Sequence, residues 1–216
     1  MSIYNSSPNA PSLATAVASN PASVGEYFYD STKGVGWGRW TNGNVLNVEG
    51  TTTNASIISL SGTQSLHFIF ADSLTDINGL TTTATYSFMG GTQSSSTSSI
   101  EPLGSGVTSG TILVNFGLSD ADINMMVNHG INYNVSGILY VDPTDSSIYD
   151  AVAGDVTASS SSSTCNPCNV SIDGGFVGSA SASGGPAAVP GYVGIKYAIQ
   201  EANPVMGVAG FQYSGP

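Results

Sequence analysis

The sequence predicts an all-β protein, an eight-stranded antiparallel up-and-down barrel with an N-terminal arm. Three observations predict it. From residue 35 onward, short segments alternate apolar and polar residues with a period of two, the pattern of strands that bury one face. Turn signals separate them: Asn42-Gly43, Asn78-Gly79, Gly90-Gly91, His129-Gly130, Asp173-Gly174 and Asn203-Pro204. Glycines also fall inside the strand-like segments, at Gly137, Gly178, Gly194, Gly207 and Gly210, as sharp coiling in a small barrel requires. A two-sheet sandwich is the alternative architecture.

Residues 1–33 are rich in Pro, Asn, Ser and Ala and read as an arm or linker; residues 34–216 read as the barrel domain. The arm ends in an apolar cluster, Val24 with Tyr27, Phe28 and Tyr29, that suits an added strand. Candidate strands follow at about 35–48, 55–60, 65–73, 81–90, 110–117, 121–128, 131–141, 168–178, 190–200 and 205–213, one or two of which merge or drop out. Ala84, Tyr86 and Phe88 share one face, as do Ile112, Val114 and Phe116. Ile123, Met125 and Val127 form another such face, followed by Ile131, Tyr133 and Val135, and later by Val193, Ile195, Tyr197 and Ile199. His129-Gly130 joins two alternating runs and marks a tight hairpin. Short connections imply a meander, and closure into a barrel removes the exposed edges. Two low-complexity stretches, Gln93–Gly110 and Thr157–Thr164, read as surface loops.

Composition excludes several functions. Charged residues make up 8% of the chain, and Lys33, Arg39 and Lys196 face 14 acids for a net charge of −11. No cationic stripe exists to displace phosphate counterions or to meet an anionic membrane, so neither nucleic acid nor such a surface is an expected partner. Ser, Thr, Asn and Gly must keep the surface wet, which suits an extracellular protein. No run of 18 apolar residues is present, and Met1 to Asn20 has no signal-peptide pattern. A mature fragment is the expected explanation, with export by a signal-independent route the alternative.

Few residues point to chemistry. Cys165-Asn166-Pro167-Cys168 is a redox centre, half a zinc site or a small disulfide loop. The Ser tract before it and the strand-like Val170-Ser171-Ile172 after it leave no helix to activate a thiol, so a structural disulfide is expected. His67 and His129, with Met125, Met126 and Tyr133, suggest haem or metal; as strand and turn residues they are expected to be structural. Asp142, Asp145, Asp150 and Asp155 are calcium candidates, but their spacing is not that of an EF-hand, and a solvated acidic loop is expected. No nucleophile elbow or zinc-protease motif occurs, so no enzyme and no cofactor is expected. Trp37 and Trp40, three apart, face opposite sides of a strand; one packs in the core and the other makes surface contacts.

A family resemblance rests on the order of several segments. They are Gly36-Trp37-Gly38-Arg39-Trp40, Leu66-His67-Phe68-Ile69, Thr83 to Gly91, Gly110 to Phe116, Gly174-Gly175-Phe176-Val177-Gly178 and Val205 to Phe211. Over residues 35–212 the chain resembles the soluble barrel domain of transferrin-binding protein B and related C-terminal modules of bacterial surface proteins. The resemblance implies an eight-stranded barrel outside a Gram-negative cell. Transferrin binding does not carry over, because the lipidation cysteine, second lobe and basic binding face of that family have no counterpart in these residues.

The expected function is therefore a non-enzymatic extracellular module for binding, adhesion or display. The alternative is a structural subunit that assembles into a fibre or layer, with Tyr27, Phe28, Tyr29, Trp37 and Trp40 as packing or assembly residues and the arm as the self-association element. Deleting residues 1–20 is expected to leave the melting temperature nearly unchanged but abolish assembly, whereas deleting residues 1–30 is expected to lower both. Assembly by the shorter truncation would make the arm a mere linker.

Overall fold

A computed structural model of the chain describes residues 20, 22–49, 54–163, 165–179 and 189–216. The described residues form strands and contain no helix. In chain order the strands are β1 (Ser23–Asp30), β2 (Val35–Glu49), β3 (Asn54–Ala71), β4 (Thr83–Gly91), β5 (Ser95–Ser96), β6 (Gly106–Asn115) and β7 (Asp120–His129). They continue as β8 (Ile131–Asp142), β9 (Ser147–Tyr149), β10 (Val156–Ser159), β11 (Cys168–Ser179), β12 (Pro190–Ile199) and β13 (Val205–Gly215).

Eight strand positions close into an antiparallel barrel. The ring runs β4-β6-β7-β8 on one side and β11-β12-β13 on the other, with β13 paired back to β4. The remaining place, between β8 and β11, is shared by two short strands, because β9 and β10 each pair with both neighbours. Tyr86, Ile112, Ile123, Met125, Val135 and Ile195 point inward as expected; they are essentially inaccessible and pack with Leu139, Phe176 and Phe211 into one core. This filled interior is what an eight-stranded ring has room for. Gly130, at φ 75°, supplies the left-handed residue of the β7–β8 hairpin.

Three of the candidate barrel segments lie outside the ring. Residues 35–48 become β2, while 55–60 and 65–73 merge into the 18-residue β3. With β1, which lies within the stretch read as an arm, they form a separate sheet in the order β1-β2-β3. Alternation marks a strand with one buried face, and that face serves equally well against the outside of a barrel.

Both low-complexity stretches also differ from the loops expected. Val156 and Ala158 point inward and make β10 a ring strand; the hydroxyl-bearing Thr157 and Ser159, which alternate with them, look outward. In the other stretch Ser94, Ser95 and Ser96 are buried, as is the preceding Thr92: Thr92 and Ser95 lie against His67 of the three-stranded sheet, and Ser94 lies against the β7–β8 hairpin. Polar residues are tolerated there because neighbouring groups satisfy them: Ser94 donates to the Asn128 carbonyl at 2.8 Å, and Thr92 and Ser95 engage His67.

Candidate binding face

Strand register sorts β1–β3 into two faces. Trp37 pairs with Phe28 and Ile69, Arg39 with Glu26 and His67, and Thr41 with Ser65, so these residues share the face turned to the barrel. Gly36 pairs with Tyr29 and Phe70, Gly38 with Tyr27 and Phe68, and Trp40 with Val24 and Leu66, so these share the opposite face.

The inner face joins the sheet to the barrel. Trp37 is 5% exposed and its indole rests over two barrel glycines; a Cβ on Gly90 or Gly210 would stand 2.7 or 2.9 Å from the ring. Phe28 covers the other side of the indole with ring centroids 4.3 Å apart, a stack contributing about 0.5–1.5 kcal/mol beyond area burial. Next to it the buried Arg39 donates from Nε to Glu26 at 3.2 Å, from Nη1 to Ser65 Oγ at 3.1 Å and from Nη2 to Gln93 at 3.1 Å. Glu26 also accepts the Gln93 backbone N–H at 2.9 Å. His67 Nδ1 lies 2.8 Å from Thr92 Oγ1 and Nε2 lies 2.7 Å from Ser95 Oγ. Burial, then the Arg39 charge, pushes its pKa down to about 3. The ring is therefore neutral at physiological pH. A crevice of about 540 Å³ between β3 and the β11–β13 wall is bordered by His67, but both ring nitrogens are already engaged.

The outer face is a strip of aromatic rings. The two glycines of β2 leave space that the side chains of β3 fill: a Cβ on Gly36 would stand 2.5 Å from the Phe70 ring, and one on Gly38 2.6 Å from Phe68. Phe70 stacks with Tyr27 at 6.0 Å and with Tyr29 at 5.5 Å; Phe68 lies 6.3 Å from Phe70 and 5.4 Å from Trp40. Tyr27 is 58% exposed and Tyr29 38%, while Trp40, Phe68 and Phe70 are half-buried. Beside them Val24 is exposed, and Asp72 accepts a hydrogen bond from the Tyr29 hydroxyl at 3.2 Å.

The two tryptophans thus divide as the three-residue spacing predicts, Trp37 inward and Trp40 outward. The aromatic cluster of the arm divides too: Phe28 joins Trp37, and Tyr27 and Tyr29 join the strip. Phe68 and Phe70 were not singled out in the sequence, although Leu66, Phe68 and Phe70 occupy alternate positions and carry the signal. Cys165 and Cys168 form a disulfide. His129 meets different partners from His67: its Nε2 lies 3.8 Å from Glu101, and Ser94 Oγ is 3.1 Å from its Nδ1. Met125 and Tyr133 point into the barrel, and Met126, between two inward positions, points out. The four aspartates each accept from backbone amides, three of them within three residues and Asp150 from the distant β11. Asp142 accepts from Thr144, Asp145 from Ser147, Asp155 from Val152 and Asp150 from Ile172. The Thr144 hydroxyl and amide hold the Asp142 carboxyl below its usual range. Among the described residues, the group of three metal-capable side chains brought together is a different one, Cys165, Cys168 and Glu201.

No known family of sequences matches the chain, and no curated protein matches it. Its likeness is to solved structures. Intact Ap-TbpB, with N and C lobes, is 14% identical at a TM-score of 0.45, over 90% of this chain and 38% of that one. A protein described as a surface lipoprotein is 12% identical at a TM-score of 0.48, over 98% of this chain and 89% of its own. The N-lobe of lactoferrin binding protein B of Moraxella bovis is 10% identical at 0.45, over 98% and 87%. The chain spans well under half the length of the intact two-lobed protein.

Proposed function

We propose that this chain is a non-enzymatic binding module of a bacterial surface, and that the outer face of β1–β3 is where it meets a protein partner. The observation that carries the reading is the aromatic strip. Tyr, Trp and Phe are the residues enriched at the centres of protein interfaces, and contiguous exposed apolar patches mark such sites. The rings are also pre-arranged, since Phe68 and Phe70 are seated over Gly38 and Gly36 and little side-chain freedom remains to lose on binding. Acids stand at the border of the strip, Asp72 beside Tyr29 and Asp30 at the end of β1, and the whole chain carries −11. That charge opposes a second copy and favours a foreign protein with an apolar centre and a basic rim.

The test is binding of the purified chain to a panel of basic extracellular proteins by interferometry, repeated with the double variant Tyr27→Ser/Trp40→Ser. The variant is expected to lose about tenfold or more in affinity, at the level of an interface hot spot, while its melting temperature falls by only a few degrees and the fold is kept. Equal binding by the variant would overturn the assignment of the face.

A second reading, assembly into a fibre, is favoured by the outer edge of β1, with which no described strand pairs. This strand pairs with β2 alone among the described residues, and unpaired edges accept further strands. Sedimentation over a concentration series separates the two: a monomer at every concentration supports the binding module, and concentration-dependent growth supports the fibre.

A further inference from the structure

Glu201, in the turn between β12 and β13, is brought against Cys165 and Cys168 at one end of the barrel. One ligand atom from each of the three residues lies within 4.8 Å of the others. Glu201 Oε1 stands 3.9 Å from Cys168 Sγ, accepts the Tyr133 hydroxyl at 3.0 Å and also accepts the Ser163 hydroxyl. Ser163 Oγ is in turn 3.3 Å from Cys168 Sγ and 3.6 Å from Cys165 Sγ. Cys168 is 1% exposed and is held by strand pairing to Ala158, while Cys165 lies on the loop before it. Lys33, Arg39 and Lys196, the three bases of the chain, pair elsewhere with Asp30, Glu26 and Asp173. Among the described residues, hydroxyl groups therefore answer the Glu201 carboxylate here, in a protein whose overall charge draws cations.

We propose that reduction of the Cys165–Cys168 disulfide turns this corner into a site for a thiophilic divalent cation of the zinc class. Disulfide sulfurs are poor donors and thiolates are strong ones, so the oxidised form is closed to metal. A phosphine opens it: the phosphine and one water become phosphine oxide, and the two electrons and two protons released convert the disulfide into two thiols. The cation then takes both sulfurs as thiolates, releases two protons to solvent and accepts one oxygen from Glu201. A water or the Ser163 hydroxyl completes a tetrahedron. Two sulfurs and one carboxylate in four-coordination suit zinc or cobalt and not magnesium or calcium. Tyr133 keeps the carboxylate aimed at the sulfurs, as outer hydrogen bonds do at such sites.

The experiment uses cobalt(II) as the probe, added to phosphine-reduced full-length chain under argon, with alkylation counting the free thiols. The reduced protein is expected to show a thiolate-to-cobalt charge-transfer band that saturates at one cobalt per chain and is displaced by zinc. The oxidised protein is expected to show none. Glu201→Gln, also reduced, is expected to bind cobalt about tenfold or more weakly. Circular dichroism follows the fold throughout. The proposal is overturned by two titratable thiols without the band, by loss of the β signal on reduction, or by Glu201→Gln binding as tightly as the parent.

Discussion

Between pH 7 and pH 4 the protein is expected to lose about 2–4 kcal/mol of folding free energy through His67 alone. The folded ring, buried and beside Arg39, holds its pKa at about 3 against 6.5 in an unfolded chain. Below pH 6.5 the unfolded chain takes up a proton that the folded one refuses, so the folded state loses ground steadily until the pH reaches the folded value. The stability that His67 protects is present in full above pH 6.5 and fades as acid is added. Protonation would also end the arrangement in which one ring nitrogen accepts from Thr92 or Ser95 while the other donates. Urea unfolding at several pH values, compared with His67→Gln, isolates this residue from the carboxylates that titrate in both proteins. The variant should show the flatter pH dependence. Identical pH profiles would mean that the folded ring titrates where the unfolded one does and that burial beside Arg39 does not hold it neutral.

Trp37→Ala is expected to destabilise by about 3–5 kcal/mol, the usual range for removing a large buried aromatic. The indole fills the space between Phe28 and the two barrel glycines, and neither Gly90 nor Gly210 has a side chain with which to close the gap. Trp40→Ala, on the outer face of the same strand, is expected to cost about 1 kcal/mol, as a half-exposed substitution outside the core. Chemical denaturation followed by circular dichroism checks both. Equal effects would contradict the two-faced reading of β2, and a loss below about 1 kcal/mol for Trp37→Ala would show that the sheet is not anchored through this residue.

The difference between these tryptophans is legible in the sequence, because three residues along a strand reverse the side. Which of the two faces inward is not. That choice depends on Gly90 and Gly210, which lie far along the chain and present a bare patch of barrel wall only once β4 and β13 are paired. The same holds for glycines read as aids to coiling. Gly194 lies under Ile69, whose Cδ1 would stand 2.4 Å from a Cβ there, so close approach of a second sheet explains it. Glu201 escaped notice for a similar reason. It stands 33 residues from Cys168, and nothing in its neighbours announces that a turn will return it to the disulfide.

What the sequence determined by itself is the local, period-two information. It set the strand character of β4, β6, β7, β8, β11, β12 and β13, the inward faces that fill the barrel, and the hairpin at Gly130. It set the polarity of the surface and the absence of a cationic face as well, since composition needs no fold to act. The tertiary structure decided what each apolar face meets. Alternation states that one side of a strand is buried, but it does not name the surface opposite. Strands β2 and β3 could thus leave the ring and dock outside it without any change in pattern, and a strip of Tyr27, Tyr29, Trp40, Phe68 and Phe70 could form across three strands. Such contacts join residues that are distant in sequence, and their free energy exists only after the chain has closed the loops between them.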